Sequence, residues 1–259
     1  LRLSPNFFEA YTGIGRAYIN SNRNQEAIGP LKNAITINPK YTDSYERLGA
    51  VYQNLGQHDK ALLHYIEFAR LDFRNPVAHF KLGVAYSRIT RNRDAIKSFQ
   101  EAIKWDSEFP EAHLNMGSLY QDLGETDNAL DQYKKVVFLD TQNLDAYFNM
   151  GEIHELFNHY EKAIQNFQSV IKIDPNHVEG HIHLGLNYAK LKRSEEALGE
   201  FQAALKIAPD REQTYYRQAV TYGDLGRFPE GLTSLQKALN LNPNHLDTLL
   251  ELGRFKIIL

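Results

Sequence analysis

One feature constrains this chain more than any other, a strict self-repeat. Gly recurs at 15, 49, 83, 117, 151 and 185, always 34 residues apart; the column skips 219, where Ala219 stands, and returns at Gly253, with no residue inserted or deleted. A fixed period of about 20 to 50 residues signals an architecture of stacked supersecondary units. If each unit starts seven residues before that Gly, seven full repeats span 8–41, 42–75, 76–109, 110–143, 144–177, 178–211 and 212–245, with partial units at 1–7 and 246–259.

Other columns hold the same frame. Position 11 of the repeat is Tyr18, Tyr52, Tyr86, Tyr120, His154, Tyr188 and Tyr222, and position 20 is Ala27, Ala61, Ala95, Ala129, Ala163, Ala197 and Gly231. Position 24 is Leu31, Tyr65, Phe99, Tyr133, Phe167, Phe201 and Leu235. Apolar positions 4, 7, 8 and 11, then 20, 24, 27 and 30, have the three-and-four spacing of amphipathic helices, so each repeat reads as two helices. Gly56, Gly124, Gly226 and Asn158 lie between them and suit a helix C-terminus. Small residues at 8 and 20 let the paired helices approach, and large ones at 4, 11 and 24 fill the space beside the crossing. One hairpin cannot cover its own apolar faces, so stacking completes the core and no separate domain is expected within 1–259.

Composition narrows the function. The formal charge of -3 lacks the positive excess that general binding to phosphate backbones needs, which argues against a nucleic-acid partner. No apolar run approaches the roughly 18 residues of a membrane span, so a soluble chain without membrane insertion is expected. Zero Cys removes disulfides, thiolate catalysis and Cys-ligated metals. The compartment stays open, with the cytoplasm slightly favoured over the periplasm.

At these columns the chain resembles the tetratricopeptide repeat family, whose W-x-x-L-G-x-x-Y … A-x-x-x-F … P pattern is matched by Tyr45 to Tyr52, then Ala61 and Tyr65, with Asn38-Pro39 closing the unit before. The closing Pro stands at Pro5, Pro39, Pro175, Pro209 and Pro243, and the middle repeats carry Phe73, Ser107 and Thr141 there. Repeat 212–245 departs with Gln218-Ala219 and Gly231. The resemblance implies an all-α, right-handed superhelical solenoid of antiparallel helix hairpins, with seven full repeats and one terminal helix. The RNA-reading pentatricopeptide proteins, of nearly equal unit length, fit less well because their consensus differs and their groove is usually basic.

Candidate chemistry dissolves into the columns. His154-Glu155 with His159 looks like a zinc helix, but the second His falls at i+5 where that motif needs i+4. His79, His113 and His181 occupy packing position 4, and Gly13-Ile14-Gly15 lies inside a helix rather than after a strand. Acidic residues at position 2 (Glu9, Asp43, Glu111, Asp145, Glu179 and Asp247) suit helix N-termini. No insertion supplies a catalytic loop, so neither an enzyme, a cofactor nor a metal site is expected.

The family resemblance places positions 2, 5, 6, 9, 12 and 13 on a concave groove. Position 5 is apolar or aromatic from the third repeat, with Phe80, Leu114, Phe148, Ile182 and Tyr216, and position 9 adds Val84 and Leu186. Such residues, not needed within their own hairpin, suggest an interaction surface, although part of them could be shared contact between neighbouring first helices. Position 6 is a basic or amide row of Arg47, Lys81, Asn115, Asn149, His183 and Arg217, suited to a peptide backbone or an acidic segment. The Asn115 and Asn149 pair is similar to the Asn ladder in the repeat region of O-linked N-acetylglucosamine transferases. The expected function is a scaffold or adaptor binding a peptide or helix of a partner protein. The alternatives are the substrate-recruiting arm of a larger enzyme such as a glycosyltransferase, or a self-assembling structural repeat protein. The chain is also expected to be a slice of a longer array: Leu3 and Pro5 match the end of a second helix, and Leu249, Leu252, Phe255, Ile257, Ile258 and Leu259 in 246–259 lack a covering helix, which would favour end-to-end association.

Overall fold

A computed structural model describes residues 7–259; Leu3 and Pro5 lie outside the described residues. Fifteen α-helices and no strand occur among the described residues. The first compact unit, Leu1–Leu139, holds α1 (Phe8–Asn20), α2 (Asn24–Ile37), α3 (Thr42–Asn54), α4 (His58–Leu71), α5 (Pro76–Arg88), α6 (Asn92–Trp105), α7 (Pro110–Asp122) and α8 (Thr126–Leu139). The second, Asp140–Leu259, holds α9 (Leu144–Leu156), α10 (Tyr160–Ile173), α11 (Val178–Lys190), α12 (Ser194–Ile207), α13 (Glu212–Asp224), α14 (Phe228–Leu241) and α15 (Leu246–Ile258). Every odd-numbered helix begins at position 1 of the repeat and every even-numbered one at position 17, so the sequence frame is the structural frame.

The small-against-large logic sets the hairpin crossing. A Cβ placed on Gly49 would stand 2.7 Å from the Tyr65 ring, and Gly83, Gly117, Gly151 and Gly185 meet Phe99, Tyr133, Phe167 and Phe201 in the same way. Those rings are essentially inaccessible to solvent, and so is the position-20 residue of the same repeat, Ala61, Ala95, Ala129, Ala163 or Ala197. Burial of a phenol leaves its hydroxyl to be satisfied. Tyr65 donates to Gln53 Oε1 at 3.2 Å and Tyr133 to Gln121 Oε1 at 3.0 Å. Position 12 is Gln only in those two repeats, the only two full repeats with Tyr at position 24.

The turn inside each hairpin is fixed by a left-handed residue at position 15. Gly56, Gly124, Gly226 and Asn158 take positive φ as expected, and Asn22, Thr90 and Lys192 join them. One residue further on, an Arg locks the turn. Arg23, Arg91, Arg193 and Arg227 lie 4.5 to 4.8 Å over Tyr18, Tyr86, Tyr188 and Tyr222, and each also bonds an acidic residue of the following helix, Glu26, Asp94, Glu196 or Glu230. This Tyr–Arg–carboxylate triad is not visible to a search for apolar periodicity, because two of its members are charged.

The seventh repeat shows how the departures Gln218-Ala219 and Gly231 are absorbed. Gln218 accepts a buried hydrogen bond from Ser234 at 2.8 Å, and Phe255 reaches back from α15 over Gly231 and Gly223, edge-on to Phe228. Phe255 is therefore fully buried, which corrects its expected exposure. Leu252 also packs on this cluster, whereas Leu249, Ile257, Ile258 and Leu259 are exposed. Among the described residues no helix is long and apolar enough to cross a membrane.

Candidate functional site

The residues expected to line a groove are all on first helices, and their surroundings differ sharply from repeat to repeat. In the first unit Arg47 is held by Asp43 of its own helix at 2.8 Å and Lys81 by Glu46 of the preceding repeat at 3.2 Å, so both cations are already neutralised. Asn115 Nδ2 donates to the Glu111 carbonyl at 2.7 Å. Its amide N–H is thereby partly spent within α7. Phe80 rests on Phe99 and Phe109, with centroids 5.6 and 4.9 Å away, and Val84 packs on the same cluster. Leu114 is half-buried on the same column.

In the second unit Phe148 serves a similar packing role. Its ring lies 5.5 Å from Phe167 and 5.4 Å from both His177 and His183. The rings of Phe80 and Phe148 thus rest mainly on rings of their own repeats, and Phe148 also meets His183 of the next. Asn149, half-buried on α9, makes no hydrogen bond among the described residues. His183 stacks on Phe167 at 5.0 Å, and its Nδ1–H donates to Glu155 Oε2 at 2.8 Å. Asn187, fully buried, donates to the same carboxylate oxygen at 3.1 Å. Burial alone would depress the His183 pKa; the hydrogen bond and charge of Glu155, with Glu152 and Glu179 nearby, outweigh it and raise it above the ordinary imidazole value. Burial pushes Glu155 up, and the His183 bond and charge, the Asn187 amide and the Arg217 charge bring it below the ordinary carboxylate value. Glu152 has no such partner, and burial raises it.

Between α11 and α13 the surface opens. One cleft of about 420 Å³ is lined by Ile182, His183, Leu186 and Arg217, with Glu179, Asp210, Arg211 and Glu212 at its edge. A second, of about 330 Å³, adjoins it through the shared Leu186 and Arg217 and adds Tyr216, Val220, Lys190 and Lys192 over the buried Phe201. Five of the expected groove residues, Ile182, His183, Leu186, Tyr216 and Arg217, are brought together here. Arg217 is exposed, and its guanidinium makes no hydrogen bond or ion pair among the described residues. In the first unit a smaller cleft of about 220 Å³ contains Arg47 with Glu9, Thr12, Arg16 and Tyr41.

Four other histidines pack inside repeats or cap helices. His113 donates to Gln132 at 2.8 Å and His181 is buried between Glu200 and the Pro175 carbonyl, at 2.6 and 3.0 Å. His177 and His245 cap α11 and α15, each Nδ1 accepting a backbone N–H, at 2.9 and 3.3 Å. These two caps were legible as the residue preceding position 1, a place where Asn75 and Asn143 do the same work. The acidic residues at position 2 lie in the first helical turns, where the dipole favours them. Among the described residues no three His, Asp or Glu side chains are grouped to hold a metal ion.

A strand-free series of helical hairpins with open clefts along its first helices defines a helical repeat protein of the interaction-scaffold class. Family models described as TPR repeat match residues 15–56, 91–124 and 117–156, and models described as tetratricopeptide repeat match 42–75, 144–177, 178–211 and 212–245. The chain belongs to the tetratricopeptide repeat family.

Among solved structures, the C-terminal part of a TPR repeat-containing protein from Cytophaga hutchinsonii matches with a TM-score of 0.81 at 16% identity, covering 93% of this chain and 99% of that one. MamA matches at 0.61 and 27% identity over 66% of this chain and 94% of its own. YrrB, a TPR protein described as having an unusual peptide-binding site, matches at 0.65 and 20% identity over 71% of this chain and 95% of its own. No curated protein matches the chain in sequence.

Proposed function

We propose that this protein is a scaffold or adaptor whose first-helix face captures a peptide or helix of a partner protein. The adjoining clefts between α11 and α13 carry this reading. They gather Ile182, Leu186, Tyr216 and Val220 as apolar surface beside an unpaired guanidinium. Apolar side chains with a few placed polar groups are what a binding groove needs, since burial supplies affinity and the polar groups supply register. The likeness to YrrB, itself a peptide binder by its description, agrees with this use of the fold. In the first unit Arg47, Phe80, Lys81, Val84, Leu114 and Asn115 form the corresponding face, with its cations paired and its aromatic ring packed.

The test is a display library of random 12-residue peptides panned against the protein and against the Ile182→Glu, Val220→Glu double variant. Both positions line the clefts and neither is fully buried, so the variant is expected to keep its helical circular dichroism. The expected outcome is a set of peptides retained by the native protein at micromolar affinity and lost by the variant. Peptides that bind both equally, or none that bind at all, would count against the groove.

A further inference from the structure

We infer that the α11–α13 groove selects partner segments in which an apolar side chain is followed or preceded by clustered carboxylates; this deepens the reading above and rests on it. The charges along the groove are sorted. Glu179 pairs with Arg211 at 3.0 Å at one end and Lys192 approaches Asp224 at 3.8 Å at the other, so the two helices run side by side in the same direction. At the first end Glu179 is paired with Arg211, whereas Asp210 and Glu212 keep that end acidic, Glu212 lying 3.4 Å from Nε2 of the capping His245.

The second end is different. Three cations, Lys190, Lys192 and Arg217, line the second cleft with Asp224 as its one carboxylate; Arg217, shared with the first cleft, also feels the charge of Glu155 from α9. Lys190 and Arg217 make no ion pair among the described residues, and both are exposed. They flank an apolar floor of Leu186, Tyr216 and Val220 over Phe201. An exposed guanidinium next to apolar surface is an incomplete interaction: it offers a planar pair of donors whose natural complement is a carboxylate, and the adjoining floor excludes water from the bond. A helix of this length spans about 18 Å, which an extended peptide crosses in five or six residues, so one apolar anchor and two or three acidic residues fill the second cleft. Nothing in this arrangement needs a free chain terminus. The acidic group is an internal Asp or Glu side chain.

The experiment uses three fluorescein-labelled peptides, acetylated and amidated so that no terminal charge contributes. They are Gly-Ser-Leu-Leu-Asp-Glu-Asp-Gly, the same with Lys at the three acidic positions, and the same with Ser in place of both Leu. Anisotropy titrations are run on the native protein, on Arg217→Glu and on Lys190→Glu with Arg217→Glu. The expected result is binding of the acidic Leu peptide that weakens with added salt, a loss of about tenfold or more on Arg217→Glu, and a preference for the Lys peptide in the double variant. Equal affinity of the native protein for the acidic and Lys peptides overturns the inference, as does acidic binding that the double variant leaves intact. Binding of the Lys peptide alone, abolished by Val220→Glu, overturns the acidic specificity while the groove itself stands. If none of the three peptides binds, the inference fails, and the library panning decides the groove separately.

Discussion

At the scale of single residues, the informative positions are those where a repeat column carries a group the column does not need. Glu155 occupies position 12, which holds Gln where position 24 is Tyr; opposite Phe167 it has no phenol to serve and turns to His183 and Asn187 of the next repeat. The charged groups around that imidazole are Glu152 and Glu155 on α9 and Glu179 on α11, and Arg217 on α13 acts on Glu155. A histidine raised above its ordinary value of 6.5 contributes stability that is full below that value and is lost as pH rises through the folded pKa. A carboxyl lowered from 4.5 contributes stability present above that value and lost as pH falls through its folded pKa. Both contributions coexist between about pH 4.5 and 6.5 and fade on either side. Replacing Glu155 with Gln is expected to lower the His183 pKa, read by NMR titration of its ring. It should also cost about 1 kcal/mol near pH 6 and flatten the fall in stability between about pH 6.5 and 8 seen by denaturant unfolding. An unchanged His183 titration would show that the pair does not hold a charge.

At the scale of the element, hairpins are defined as much by their turns as by their helices. Position 15 must be left-handed in every repeat, yet only some repeats supply Gly or Asn. Thr90 has φ 60°, a conformation in which a β-branched side chain crowds its own backbone, and its hydroxyl donates to the Ile89 carbonyl at 2.7 Å as partial compensation. Thr90→Gly removes the crowding, which is larger than the added unfolded-state entropy of Gly. A gain of about 0.5–1 kcal/mol is expected, seen as a higher urea midpoint. A lower midpoint would mean that the turn is held elsewhere, with the Arg91 to Tyr86 and Asp94 contacts as the first place to look.

At the scale of the whole molecule, stability in a repeat chain is a sum of units and their nearest neighbours rather than one global quantity. A crowding substitution should therefore act locally. In Gly151→Ala the new Cβ would lie 2.7 Å from the ring of Phe167, which is fully buried, so ring and helix must separate. Overpacking of this kind costs about 1–3 kcal/mol. Hydrogen exchange is expected to accelerate in α9, α10 and α11 while α1 to α4 keep their native protection. Uniform acceleration along the chain would show a single cooperative unit instead.

What the sequence determined by itself was the register. A period free of insertions set the repeat frame and two helices in each unit, because Gly and Ala at the crossing, aromatic residues opposite them and turn formers between them are local demands that each repeat states separately. The position-2 acids and the burial of His113 and His181 were readable for the same reason. The site was only half legible. Ile182, Leu186, Tyr216 and Arg217 line open clefts between α11 and α13, but nothing in their columns distinguished them from Phe80 and Phe148, whose rings are packed, or from Lys81, which is already paired. The Arg47 pair with Asp43 is local to one helix, but other differences depend on side chains some 30 residues away, brought alongside by stacking, as Glu46 is to Lys81 and Glu155 to His183. A repeat pattern specifies what a residue meets inside its own hairpin. Which charges remain unpaired, and so what an open groove can bind, is decided only when neighbouring hairpins stand side by side.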